Sequence, residues 1–142
     1  MVKKSRGTDR RWELDEQSTA LLTRARERTA GFLKRAYLPR QKRVVLLVTD
    51  GPLKGTNFPI TKAQVLIGRP NPDGSSEADV AIEDPQVSRK HCVLEIHGQS
   101  VLLVDLDSAN GTYVSGKRIA SCELTNLSEF QIGKSNLVIA IT

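Results

Sequence analysis

The chain has 142 residues, room for one domain of ordinary size plus an appendage, with few aromatics and an apolar content dominated by Val, Leu and Ile. Its formal charge of +5 is uneven: residues 1–43 hold thirteen Lys/Arg against five Asp/Glu, and residues 44–142 hold eight against eleven. The start carries no apolar leader, the longest aliphatic run is only Val44–Val48, and Cys92 and Cys122 have neither metal-site nor CxxC spacing. These features argue against secreted, membrane-inserted and zinc-dependent classes and predict a cytoplasmic protein without metal or cofactor.

Residues 1–10 read as a disordered basic tail. Across 11–38 the pattern is helical and amphipathic: Leu14, Leu21, Leu22, Ala25, Phe32, Leu33, Ala36 and Tyr37 recur at intervals of three and four, with Arg24, Arg26, Arg28 and Lys34 largely off that stripe. Thr8, Asp9 or Asp15 offers an N-cap and Pro39 a stop, while Gly31 weakens the helix by about 1 kcal/mol relative to Ala and marks a place for a break. The apolar stripe must pack on its own domain, on a second copy as a homodimer, or on a partner. A basic appendage also suits nucleic acid, but no aromatic interleaving or recognition motif accompanies it, which argues against that partner.

Residues 39–43 form a short basic linker, and from 44 to 142 the period falls to two or the runs become short and aliphatic. Strands are predicted near 43–49, 56–60, 64–68, 79–82, 91–97, 100–106, 112–115, 117–120, 122–125, 129–132 and 136–141, separated by turn signals such as Asp50-Gly51-Pro52, His97-Gly98, Asn110-Gly111 and Ser115-Gly116. The fold class is therefore all-β, an eleven-stranded sandwich or barrel with an N-terminal helical extension. The continuous aliphatic runs at 44–48 and 101–104 predict strands covered on both faces, one of them by the helix.

Chemistry-bearing residues cluster at the ends of these strands: Gly68-Arg69, Ser88-Arg89-Lys90-His91, Asn110-Gly111-Thr112 and Ser115-Gly116. A phosphate asks for a charge-assisted fork, which a guanidinium supplies, and a short hydroxyl donor beside it. Arg69, Ser88 and Arg89 make such a set if folding joins their loops, and the Asn110 amide suits a peptide main chain. Ser88 and His91 do not read as a catalytic pair, because no third group or G-x-S-x-G elbow accompanies them. Asp105 and Asp107 lack the further oxygen ligands of a calcium loop and read as a strand-end turn.

In order and spacing these four clusters resemble the signature of the forkhead-associated (FHA) domain, over roughly residues 43–142. The resemblance implies a SMAD/FHA-like eleven-stranded β-sandwich with binding loops at one end, and a non-enzymatic phosphothreonine-peptide-binding adaptor downstream of Ser/Thr protein kinases. It implies that Arg69 and Ser88 hold the phosphate, that Arg89 contacts the phosphate or the adjoining peptide, and that Asn110 holds the ligand backbone. His91 then braces the loop, and Gly68, Gly111, Thr112 and Gly116 are structural. Ala109 stands where many members have a polar residue, so it offers the ligand backbone contacts only. The long Pro70–Ala78 loop, directly after Arg69, is placed to shape or cover the site. The alternative is a phosphate-independent scaffold on the same fold, with the helix as its docking or dimerisation element.

Overall fold

The computed structural model of the chain describes residues 14–29, 32 and 35–142. The predicted tail (1–10), the caps Thr8 and Asp9 and the break at Gly31 lie outside them. The first element is helix α1, Glu16–Arg28. Asp15 caps it, its carboxylate accepting the Ser18 backbone N–H at 2.7 Å. Glu16 in the first turn and Arg26 and Arg28 in the last complement the helix dipole. The helix stops at Thr29, in extended backbone, well short of the predicted residue 38. Further on, the chain's hydrogen bonds go to the sandwich instead of to another turn. The Tyr37 N–H donates to the Ile96 carbonyl at 2.8 Å, and the Gly98 N–H donates to the Tyr37 carbonyl at 3.0 Å. Tertiary pairing overrides the helical periodicity there.

Eleven strands follow: β1 Val44–Asp50, β2 Asn57–Ile60, β3 Gln64–Gly68, β4 Val80–Ala81, β5 Cys92–His97, β6 Ser100–Asp105, β7 Thr112–Val114, β8 Lys117–Ile119, β9 Ser121–Leu124, β10 Glu129–Ile132 and β11 Ser135–Ile141. They form two sheets, ordered β2-β1-β11-β10-β7-β8 and β4-β3-β5-β6-β9. Strands β3 and β4 pair in parallel and the other paired neighbours are antiparallel. Leu46, Ile67, Leu94, Leu103, Phe130 and Ile139 fill the space between the sheets.

Strand β5 is buried along its whole length, as are residues 101–104 of β6. Cys92, Leu94 and Ile96 face the sandwich core. Val93, Leu102, Val104, Leu66 and Leu106 face outward and meet Leu22, Ala25 and Phe32 of the N-terminal segment. An isolated helix of this length is marginal in water, so this packing is what holds it. The prediction of two covered faces holds for 101–104. It does not hold for 44–48, where Val45 and Leu47 alternate as half-buried residues on the open side of the first sheet.

Among these outward positions sits a carboxylate. Glu95 is 1% exposed, and its oxygens are gripped by both arms of the Arg26 guanidinium, Nε to Oε1 at 2.7 Å and Nη2 to Oε2. His97 Nε2 lies 2.9 Å from Oε1, and Gln64 Nε2 donates to Oε2 at 3.2 Å. Burial raises the Glu95 pKa, but hydrogen bonds from Arg26, His97 and Gln64 outweigh it and hold the group below the usual range. Phe32 closes the network edge-on to the His97 ring, with centroids 4.8 Å apart. The side of α1 away from the sandwich carries Glu16, Thr19, Thr23, Arg24, Glu27 and Arg28, with Ala20 its one apolar residue. Of the three partners open to the apolar stripe, Leu22, Ala25 and Phe32 take their own domain, with Leu14 and Leu21 packed beside them, while Tyr37 stays exposed. No helix among the described residues is long and apolar enough to cross a membrane.

Candidate functional site

The strand ends that carry the four clusters do not all converge. Three loops do: β3–β4 after Arg69, β4–β5 with Ser88 and Arg89, and β6–β7 with Ala109 and Asn110. The Arg69 N–H donates to the Ser88 carbonyl at 3.0 Å, so the two residues are joined through their backbones. The Ala109 N–H donates to Ser88 Oγ at 3.1 Å, and Asn110 Nδ2 donates to the Gln86 carbonyl at 2.9 Å. Gly116, by contrast, sits in the β7–β8 turn with φ +78° and nothing within 4 Å of where a Cβ would stand, away from this rim.

The rim is braced from beneath. The Ser88 N–H donates to His91 Nδ1 at 2.9 Å, which makes Nδ1 an acceptor and leaves the ring proton on Nε2 to bond the Gly111 carbonyl at 2.9 Å. One imidazole thereby ties two of the loops together. Burial lowers the His91 pKa against the pull of the Gly111 carbonyl, Asp105 and Asp84, so the neutral ring that this bonding requires is favoured. Because both ring nitrogens are engaged with backbone, neither is free to act as a base on the Ser88 hydroxyl.

Gly68 is needed for space. A Cβ there would stand 1.8 Å from the Arg89 carbonyl oxygen and 2.5 Å from its carbon. Gly111 is favoured by its φ of +90°, and an added Cβ would also displace the flexible Arg118 side chain, whose Nε would lie 2.6 Å away. Thr112 is fully buried, and its hydroxyl donates to Asp105 Oδ1 at 2.7 Å.

Sequence reading missed part of this bracing. Asp105 also accepts from the Ser108 hydroxyl at 2.5 Å and the Ser108 N–H at 3.1 Å, and Ser108 Oγ in turn accepts from the Gly111 N–H at 3.0 Å. Buried Asp84 accepts from the Gln86 and Lys134 backbone N–H groups and from the Ser135 hydroxyl, at 2.8–2.9 Å. The spacing Asp105-x-x-Ser108-x-x-x-Thr112 was the available signal, but it reads equally as a polar turn.

At the surface, the polar groups retain capacity. Ser88 Oγ accepts from Ala109, so its own hydrogen remains available to donate. Arg69 gives Nη1 to the Pro85 carbonyl at 3.0 Å, and the rest of its guanidinium has no partner among the described residues. Arg69 and exposed Arg89 line a cleft of about 540 Å³, walled on one side by Pro70, Asn71, Pro72 and Gly74. The Pro70–Ala78 loop thus shapes the cleft. It is tied to itself, Asn71 N–H to the Ser75 carbonyl at 2.7 Å and Asn71 Nδ2 to Ser75 Oγ at 3.0 Å. Hydrogen bonds from Ser75 lower the Asp73 pKa, and the Arg89 charge adds to that effect.

The sequence model of the FHA domain matches residues 65–133. The glycogen accumulation regulator GarA of Mycolicibacterium smegmatis is 37% identical over 94 residues, covering 66% of this chain and 56% of that protein. The oxoglutarate dehydrogenase inhibitor of Corynebacterium jeikeium is also 37% identical over 94 residues, covering 66% and 62%. The matched segment therefore spans little more than half the length of these curated relatives. A solved structure from work on phosphothreonine-dependent FHA domain interactions matches with a TM-score of 0.60 at 28% identity, covering 70% of this chain and 97% of its own. The two-sheet sandwich and these matches identify a forkhead-associated domain within the chain.

Proposed function

We propose that this protein is a phosphothreonine-peptide-binding adaptor acting downstream of Ser/Thr protein kinases, and that residues 44–142 form the binding domain. Arg69 and Ser88 hold the phosphate, Arg89 contacts the phosphate or the peptide beside it, and Asn110, next to Ala109, holds the peptide backbone. The observation that carries the reading is the Arg69–Ser88 backbone bond, which sets a partly free guanidinium and a free hydroxyl hydrogen on one rim. A doubly charged phosphate there gains charge-assisted hydrogen bonds of about 1.5–3 kcal/mol each. Asn110 Oδ1 is open to a peptide N–H while its amide nitrogen stays on Gln86. The partner is a kinase of this class or one of its substrates; the likeness to an FHA structure from phosphothreonine-dependent work supports the phosphothreonine part of this reading. With both His91 nitrogens on backbone, the reading is of a binding module and not an enzyme.

Calorimetric titration with a phosphothreonine peptide selected from an oriented library tests the assignment. Arg69→Ala weakens binding at least tenfold, and equal affinity for the two proteins rejects the role of Arg69. A phosphate-independent scaffold is the second reading, favoured by Ala109, which brings no side-chain hydroxyl, and by the Asn110 amide already bound to Gln86. Selection of a partner that binds equally well after phosphatase treatment would favour it.

A further inference from the structure

Helix α1 does more than cover the second sheet, because its first turn reaches the backs of the loops that form the rim. Lys90 Nζ, one residue after Arg89, lies 3.3 Å from Asp15 Oδ2. Gln17 Nε2 donates to Asp107 Oδ2 at 3.1 Å, two residues before Ala109. Leu106 belongs to the same apolar cluster as Leu22 and Ala25, and Ala78, at the end of the Pro70–Ala78 loop, packs against that cluster. Two of the rim loops thus meet the first turn of α1 directly, and the end of the third packs on the apolar cluster that the helix shares with the second sheet. The other end of the helix is pinned, since Arg26 grips buried Glu95. Asp107 itself has φ +53°, a backbone state that a non-glycine residue holds only where its surroundings favour it.

We infer that α1 is a positioning element for ligand recognition: Asp15 and Gln17 hold the Ser88–Arg89 and Ala109–Asn110 loops in the arrangement that receives a phosphothreonine peptide, so helix docking and peptide binding are linked. The inference rests on the phosphothreonine reading above. Neither polar contact is strong alone, because exposed pairs of this kind contribute little to stability. Their effect is on order. A ligand that must engage two loops at once binds more weakly if it has to fix their relative position itself, and a clasp on the far side of both removes part of that cost. Linkage is reciprocal, so a ligand that favours the docked loops must also tighten the helix.

The test uses the full chain with Asp15→Ser and Gln17→Ala together. Serine retains an N-cap oxygen, so the helix keeps its start while losing the charge that faces Lys90. Leu22, Ala25 and Arg26 are left in place. With the phosphothreonine peptide that the wild type selects from an oriented library, the double variant binds about fivefold more weakly at unchanged helical circular dichroism. In the wild type the same peptide slows hydrogen exchange of the backbone amides at residues 18–28, which a merely structural helix would not show. Wild-type affinity in the double variant, with no change in exchange on binding, overturns the inference alone, provided Arg69→Ala still loses the peptide. If the wild type selects no phosphothreonine peptide, the functional reading fails and the inference falls with it.

Discussion

Replacing Gly68 by alanine places a methyl group 1.8 Å from the Arg89 carbonyl oxygen, where ordinary contact begins at 3.4 Å. About 1.6 Å of movement is needed, and the obstacle is backbone. That backbone is held on either side, by the Arg69 N–H on the Ser88 carbonyl and the His91 N–H on the Ile67 carbonyl, each at 3.0 Å. Overpacking a closed site costs about 1–3 kcal/mol, and a hydrogen-bonded backbone puts this case at the upper end. A domain of ordinary stability, about 5–15 kcal/mol, remains folded after such a loss. Binding can therefore be measured on folded protein. Moving Ser88 and Arg89 by more than an ångström relative to Arg69 misaligns at least one charge-assisted bond, so affinity for a phosphothreonine peptide falls tenfold or more. Urea unfolding gives the first quantity and calorimetric titration the second. Gly116→Ala is the control: it carries the strain of φ +78° but meets nothing within 4 Å, so it costs about 1 kcal/mol of stability and leaves affinity alone. If Gly68→Ala unfolds at the wild-type urea midpoint and binds with wild-type affinity, the close approach of β3 to the Arg89 carbonyl is wrong.

Arg26→Ala strands the Glu95 carboxylate under the helix and destabilises the protein by about 3 kcal/mol in urea unfolding, whereas Arg26→Met with Glu95→Leu recovers most of the loss; unchanged stability in the single variant would refute the pairing. His91 has a folded pKa below its unfolded value, so the unfolded chain binds the extra proton first. Its contribution is complete above about pH 6.5 and is lost as pH falls toward the folded value. Melting temperature of the free protein should drop between pH 7 and 5.5, before the lowered carboxylates Glu95 and Asp84 titrate in a more acidic range, and a flat profile across that interval counts against a neutral, bridging imidazole.

The strands were legible because their alternation is reinforced by turn residues that the backbone requires, as at Gly98, Gly111 and Gly116, all with positive φ. Even β4, Val80–Ala81, was visible as a short aliphatic stretch, although its parallel pairing with β3 was not. The end of α1 was misjudged because Tyr37 continues the helical spacing in sequence while its backbone bonds to Ile96 and Gly98 in space. The runs 44–48 and 101–104 look alike as strings. Only the second is covered, because the outward residues Val93 on adjoining β5 and Leu66 on β3 beyond it complete an apolar face for Leu22 and Ala25, a cross-strand property absent from either run alone. At the rim, Arg69, Ser88 and Asn110 were recognisable by type and order. Asp105, Ser108 and Asp84 were not, since their bonds reach backbone groups whose need for a partner appears only on folding.

The rim divides its work between two kinds of residue. The side chains proposed to touch ligand are exposed or half-buried: Arg69 and Asn110 each donate one side-chain bond to a carbonyl, and Ser88 Oγ accepts one amide. The groups behind them are buried: His91 bonds across to the β6–β7 loop, and Ser108 and Thr112 bond within that loop and its ends. Such a layout keeps the contact groups available while removing much of the backbone freedom that a ligand would otherwise have to quench. The two layers should therefore respond differently to substitution. Truncating a contact residue leaves the fold intact and reduces affinity alone. Truncating a brace strands buried partners, the Ser88 N–H and Gly111 carbonyl in the case of His91, and so lowers stability and affinity together.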